Sequence, residues 1–375
     1  MIKKIHYITY QTFPSEKANT IQTIENLRNL NKEGVKVDLI YPLRDKNSTD
    51  NLSILKDYYS IDFDISFKGK NHLLPFGKVK IFEKYTYLLS HVLWSYWVTR
   101  NFKPENNSYV FTRSDWIYYF LSRKNIPVVF ECHQLTNLRT LLMKKSIKYP
   151  ESKIIFLNNN LAKDSNLDLV NNPQKITVMH NGVDHDYFKT PLKEPSQKNK
   201  MVFVGNLLRF NKSRGIEFVI QSMAKNNFPN DILFKIIGGP EDEVDRLKDL
   251  VSKLQLKDRV EIVGRMSRKE TINQLRNSEF GLLLNSNDDI HSTDHTSPLK
   301  YFEYLYAGLK IIAIDFPSHR ALPFSTNICF FTKKDSKSFI KALNDASSKS
   351  ILNKVDLESI TLEKRSKKIL SFLSE

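Results

Sequence analysis

Short apolar runs alternate along the chain with longer stretches in which apolar residues return every three or four positions, the pattern of parallel sheets wound by helices. In the first half the strand candidates are KIHYITY, VKVDLIY, SYVFT, PVVFE and KIIFL. Between the first two, Ile21, Ile24, Leu27 and Leu30 recur at three-residue steps, with Asn19 placed as N-cap and Gly34 as the stop, which predicts a strand–helix–strand unit. A second series opens at MVFVG (201–205) and continues through LFKIIGG, VEIVG, FGLLL, LKIIAID and ICFFT. The polar, proline-bearing stretch NGVDHDYFKTPLKEPSQKNK between the two series predicts a connector, with the boundary at 185–199.

The 375 residues suit two α/β domains of ordinary size. The expected division is an N-terminal Rossmann-like domain over 1–185, a C-terminal one over 186–355, and a terminal helical segment over 356–375 that can cover either domain, the N-terminal one included.

Composition narrows the function classes. A net charge of +16 favours polyanionic partners: nucleic acid, anionic lipid or phosphorylated substrate. No zinc-knuckle spacing, RNP-like strand or recognisable helix-turn-helix supports nucleic acid. Cys132 and Cys329 stand far apart in predicted strands, against a disulfide framework or a cysteine zinc site. The N-terminal MIKKIHYITY lacks a long apolar segment and no run reaches the 18 apolar residues of a spanning helix, so the expected location is cytoplasmic, with the inner face of the membrane as a second possibility.

The sharpest local signal is Ser297-Pro298-Leu299-Lys300-Tyr301-Phe302-Glu303-Tyr304-Leu305-Tyr306-Ala307-Gly308. Serine as N-cap, proline at the first helical position and glycine after the last turn predict a helix of about ten residues. It follows the strand FGLLL and a polar loop, so its free N–H groups open at the carboxyl edge of the sheet, where an anion belongs. Lys300 in the first turn opposes the helix dipole and points to a phosphate; the plain alternative is a solvated Lys300–Glu303 pair at helical spacing. A second signal is Gly205-Asn206-Leu207-Leu208-Arg209-Phe210-Asn211-Lys212-Ser213-Arg214-Gly215, a strand-to-helix turn that carries three cations. Asp288 and Asp289 form an acidic loop pair, read as solvated rather than metal-binding.

These motifs resemble glycosyltransferase family 4, the retaining enzymes of the GT-B fold. Asn181-Gly182-Val183-Asp184 with Phe188 is similar to the family's linker phrase, and Gly205, the Gly238-Gly239-Pro240 turn, the Val263-Gly264 pair and the Ala307-Gly308 helix end follow in the family's order. The resemblance implies an α/β GT-B architecture, two Rossmann-like domains with parallel sheets facing across a cleft. It also implies transfer of a sugar from a nucleotide-diphosphate sugar to a hydroxyl of a glycan, lipid-linked or other acceptor, with retention, in the making of surface polysaccharide or glycoconjugate. No metal or other cofactor is required on that reading.

Residue by residue, Gly264-Arg265-Met266 matches the backbone that cradles the base, and Glu303 the ribose-binding glutamate. Arg214, or else Lys212, matches the lysine on the donor diphosphate, while the amides of Leu299 and Lys300, beside Pro298 and Ser297, match those that receive the β-phosphate. His133, after PVVFEC, matches a histidine near the transferred sugar, and the loop Phe13–Asn19, with Ser15, Glu16, Lys17 and Asn19, is the candidate for acceptor contacts. Two departures stand out: His295 occupies the place of a sugar-binding glutamate, and Asn206 that of an arginine, so positive charge on the diphosphate falls to Arg209, Lys212 or Arg214.

Residues 78–103 place Ile81, Phe82, Tyr85, Leu88, Leu89, Val92, Leu93, Tyr96 and Trp97 on one helical stripe, with Tyr87, Trp94 and Val98 adding a second. Cations Lys78, Lys80, Lys84, Arg100 and Lys103 lie near the ends. Two expectations stand: a helix lying on anionic lipid, or one buried on both sides. Rival functions are a nucleotide-sugar epimerase of the same fold, which needs acid and base carboxylates that the sequence does not identify, and a non-catalytic binding protein.

Overall fold

The computed structural model describes residues 2–72, 83–188, 198–209 and 211–375. The chain divides into two compact units, one formed by Met1–Met179 with Leu362–Glu375, the other by His180–Thr361.

In the first unit the strands are β1 (Lys4–Ile8), β2 (Lys36–Leu43), β3 (Ile65–Asn71), β4 (Ser108–Thr112), β5 (Val128–Cys132), β6 (Ser152–Phe156) and β7 (Ile176–Val178). They form one parallel sheet in the order β3-β2-β1-β4-β5-β6-β7. β3 and β7 are absent from the sequence reading, because ISFKGKN is mostly polar and ITV is only three residues long. The helix after β1 spans Ala18–Lys32 with Lys17 at its N-cap, so Asn19 lies inside the first turn rather than capping it. Gly34 adopts φ +80° just past the helix end, as a C-terminal stop requires.

The terminal helix Leu362–Ser374 belongs to this first unit and packs on Ala18–Lys32, burying Ile369, Phe372 and Leu373 in the same core as Leu27 and Leu30. A separate short helix, Lys354–Ser359, stays with the second unit.

In the second unit β8 (Lys200–Val204) is followed by a two-residue hairpin, β9 (Leu208–Arg209) and β10 (Lys212–Ser213), then β11 (Leu233–Ile237), β12 (Val260–Val263), β13 (Phe280–Leu283), β14 (Lys310–Ile314) and β15 (Ile328–Phe331). The six-stranded parallel sheet has the order β12-β11-β8-β13-β14-β15, which repeats the first sheet's reversal of direction at its first strand. β8 pairs with β11 through Val204, but with β13 only as far as Val202. The two strands therefore part at their carboxyl ends, at the switch point where open α/β sheets bind ligands.

Of the connector expected at 181–199, residues 189–197 lie outside the described residues, as do Ile81, Phe82, Lys78 and Lys80 of the helical stripe. The helix itself is described from Glu83 to Arg100 and is buried on one side only: Trp94, Ser90, Ser95 and Thr99 face inward. That corrects the expectation of burial on both sides. Among the described residues no helix is long and apolar enough to cross a membrane.

Candidate functional site

Backbone packing builds the carboxyl edge of the second sheet. A Cβ on Gly238 would sit 1.8 Å from the carbonyl oxygen of Gly205, so the turns after β8 and β11 touch main chain to main chain. The amide of Gly205 donates to Ile237 O at 3.0 Å, and that of Leu207 to Gly239 O at 2.9 Å. Only glycine at 238 permits this approach. A Cβ on Gly239 would lie 3.2 Å from Arg265 Nε, so Arg265 lies against the same turn. Gly264 borders the Glu241 carboxylate, and Met266 packs on the adjoining core.

Arg214, one of the three candidate cations, is held at this turn. Its guanidinium donates to Asn206 O at 3.2 Å and to Asn285 Oδ1 at 3.3 Å, which brings it beside Asn206. Burial, then repulsion from Arg209, lowers the Arg214 guanidinium to about 10. Burial also lowers Arg209, against the pull of Asp289. Lys212 points elsewhere: its side chain is more than half exposed and lies 3.5 Å from Asp288. Asp289 caps the short helix Ile290–Thr293 through the amide and hydroxyl of Ser292, which gives the acidic pair a structural task. His295, just beyond that helix, is buried.

The helix of the sharpest motif runs from Leu299 to Tyr306, eight residues rather than about ten, and its N-cap is Pro298, not Ser297. Ser297 is engaged otherwise: its hydroxyl accepts the Asn181 amide at 3.2 Å, and its carbonyl accepts Asn181 Nδ2 at 2.6 Å. This ties the linker phrase to the helix start and leaves the first amides, Leu299 and Lys300, without a side-chain cap.

Glu303 is buried and bridged by two cations: Arg268 Nη1 donates to Oε1 at 2.5 Å, and Lys300 Nζ to Oε2 at 2.6 Å. Burial alone would raise its carboxyl; Arg268 and Lys300 reverse that and bring it down to about 2. Lys300 thus has a carboxylate partner in the helix, and the sequence signal for a phosphate loses that part of its force. Tyr304, one residue on, accepts the Val204 amide at 2.9 Å, and its ring fills the space that a Cβ on Gly281 would need, only 2.5 Å away. Helix, β8 and β13 are thereby locked together where the strands part.

In the first unit His133 follows β5. Its Nε2 lies 2.7 Å from Glu131 Oε2, which also accepts Arg113 Nε at 2.6 Å, while Arg365 of the terminal helix donates to Oε1. Burial would raise the Glu131 carboxyl, but Arg113, Arg365 and His133 hold it well below the usual range. Burial, then the Arg113 charge, pushes His133 down to about 4, so the ring is neutral at pH 7 and still partly exposed. In the loop after β1 the Ser15 amide donates to Tyr59 Oη at 2.7 Å, Glu16 and Lys17 are exposed, and the Asn19 carbonyl lies 3.5 Å from Arg113 Nη1.

Sequence reasoning missed Arg268, Asn285, Arg113, Glu131 and Arg365. A glutamate inside VVFEC was the available clue, since a charge in a buried strand needs a partner. Among the described residues, Asp184, His185 and Asp186 bring possible metal-ligand atoms within 4.8 Å of one another, with the Asp186 amide donating to Asp184 Oδ1 at 3.2 Å in a local turn.

Residues 185–356 match the sequence model of the family described as Glycosyl transferases group 1. No curated protein matches. Among solved structures the chain is similar to Anabaena HepE in complex with UDP, at 12% identity, TM-score 0.64 and 99% of both chains covered. It is also similar to sucrose-phosphate synthase from Thermosynechococcus elongatus, at 15% identity, TM-score 0.65 and 98% of both chains. A third is WaaG, a glycosyltransferase involved in lipopolysaccharide biosynthesis, at 12% identity and TM-score 0.57, covering 97% of this chain and 99% of that one. The chain therefore has the GT-B fold, and its segment 185–356 is similar to the glycosyl transferases of group 1.

Proposed function

We propose that this glycosyltransferase seats a nucleotide-diphosphate sugar at the carboxyl edge of the second sheet and moves the sugar, with retention, to a hydroxyl of a glycan or lipid-linked acceptor. The observation that carries the reading is the buried Arg214 guanidinium, held beside the Gly205 turn by Asn206 O and Asn285 Oδ1 and under repulsion from Arg209. A diphosphate would relieve that repulsion, and the amides of Leu299 and Lys300 would add donors from a helix N-terminus.

In this reading Arg214 and Arg209 hold the diphosphate, and Gly264, Arg265 and Met266 border the base. Glu303 takes the ribose hydroxyls once Lys300 or Arg268 releases one carboxylate oxygen. Cleavage of the sugar–phosphate bond places negative charge on the departing phosphate, and preorganised cations and amides stabilise it without a protein nucleophile. His133, neutral at pH 7, donates or accepts a hydrogen bond near the transferred sugar rather than acting as a charged base. Ser15, Glu16, Lys17 and Asn19 contact the acceptor, presented in a glycoconjugate pathway at the anionic inner face of the membrane. No metal is needed for these steps.

The test is NMR of reactions that combine UDP-, GDP-, ADP- and dTDP-sugars with simple glycoside acceptors. The reading expects one donor class to be consumed and a product whose anomeric configuration equals the donor's. An inverted product would reject the retaining mechanism, and turnover to an epimerised nucleotide sugar without acceptor would reject transfer.

A further inference from the structure

The helix Glu83–Arg100 is turned the wrong way round for a water-exposed element. Its inward face carries Ser90, Ser95 and Thr99 beside Trp94, all buried. Its outward face carries Tyr85, Leu88, Leu89, Leu93, Tyr96 and Trp97, with Tyr85 71% exposed, Leu89 55% and Tyr96 51%. The spacing 85, 88, 89, 93, 96, 97 is that of one continuous helical stripe. An isolated exposed leucine needs no explanation; a stripe of six large apolar side chains does.

The stripe continues onto its neighbours. The helix Asp115–Ser122 lies beside it and Asn137–Ser146 lies beside that one in turn, the ring of Tyr96 meets Phe120 at 5.6 Å, and Leu138 and Leu141 are exposed on the third helix. The charges on this layer are one-sided. Among the described residues of 85–100, 115–124 and 137–148 the exposed charged side chains are all cations: Arg100, Arg123, Lys124, Lys144, Lys145 and Lys148. The acid in these segments, Asp115, is buried against Arg139 at 3.2 Å.

We propose that this three-helix layer is a docking surface for an anionic lipid bilayer, with the 83–100 stripe inserted at the headgroup level and the surrounding cations on lipid phosphates. Tyrosine and tryptophan favour that interface because one end of each ring system is apolar and the other polar. Cations at its rim add attraction to anionic lipid, worth about fivefold in partitioning for each. A protein partner would require acidic complementarity and a fixed shape; a bilayer needs only the apolar stripe and the single sign of charge. The inference rests on the reading of a membrane-borne acceptor and gives it a surface.

The test is flotation of the full chain with phosphatidylcholine vesicles and with phosphatidylcholine–phosphatidylglycerol vesicles. Binding is expected to the anionic vesicles, weakened by salt. Leu89→Glu/Trp97→Glu should lower partitioning by more than about tenfold, and Lys144→Glu/Lys145→Glu by about 25-fold or more. Both variants alter exposed positions and should keep the wild-type melting temperature and nucleotide binding. Equal binding by wild type and variants, or none by the wild type, overturns the proposal. A concentration-dependent dimer that the stripe variant dissolves, without vesicle binding, overturns it in favour of a second copy. Nucleotide binding that persists while vesicle binding fails would reject the surface and leave the glycosyltransferase reading standing.

Discussion

Arg365 donates to Glu131 across 234 residues of sequence, and this one contact ties the last helix of the chain to the middle of the first sheet. Glu131 is fully buried and holds His133 through its other oxygen. The terminal helix thereby acts on a candidate site residue through a single carboxylate.

Removing that guanidinium should have two separable effects. Arg365→Ala leaves a buried carboxylate with fewer partners, so the first unit should lose about 3 kcal/mol or more in denaturant unfolding. The positive charge of Arg365 also opposes protonation of His133, so the His133 pKa, followed by NMR, should rise above its value of about 4. A structural defect alone would destabilise without moving that titration.

Acid should weaken the fold earlier than ordinary carboxylate chemistry would. His133, His91 and His319 are each lowered to about 4, so between the usual histidine value of 6.5 and about 4 the unfolded chain takes up protons that the folded one does not. Stability is therefore complete above about pH 6.5 and falls as pH drops, by up to about 1.4 kcal/mol per pH unit for each neutral histidine. Glu303, lowered to about 2, adds its own loss from about pH 4.5 downward. Thermal melting from pH 8 to pH 5 checks the first slope; a flat profile would contradict it.

The Gly238 contact should be intolerant of any side chain. Gly238→Ala forces a methyl to within 1.8 Å of a carbonyl oxygen, and neither partner is a flexible side chain. A loss of about 3 kcal/mol or more is expected, measured as a lower denaturant midpoint for the second unit. Gly34→Ala, where a Cβ would meet nothing within 4 Å, should cost less, since only its positive φ resists the change.

Arg214 and Lys212 should separate cleanly. Arg214→Ala is expected to slow transfer about a hundredfold or more, the scale of losing one oriented donor to a departing anion. Lys212→Ala, exposed and 3.5 Å from Asp288, should change the rate by less than about threefold. Comparable losses in both would show that Lys212 shares the charge with Arg214, and a loss confined to Lys212→Ala would show that the hairpin residue carries it.

Much of this architecture was legible in the pattern of apolar runs, since both sheets announce their central strands as VIL-rich segments. β3 was not, because a polar edge strand carries no burial signal, and β7 was too short to register. The helix of 297–308 was recognisable, but its first residue was misplaced: Ser297 looks like a cap until Asn181, 116 residues away, is found holding it. Lys300 looked mismatched because Arg268 was invisible; Glu303 needs both cations, and nothing local in the sequence pairs 268 with 303. Choosing Arg214 over Lys212 depended likewise on Asn285, a contact that only folding creates.

The most direct test of the central claim is calorimetric titration of the full chain with UDP, GDP, ADP, CMP and dTDP, repeated on Glu303→Ala. The account predicts selective binding of one nucleoside diphosphate by the wild-type protein, weakened at least about tenfold in the variant by loss of the carboxylate's bonds to the ribose. Binding of equal strength in the variant would remove Glu303 from the site, and no binding of any nucleotide by the wild type would contradict a donor site at this sheet edge.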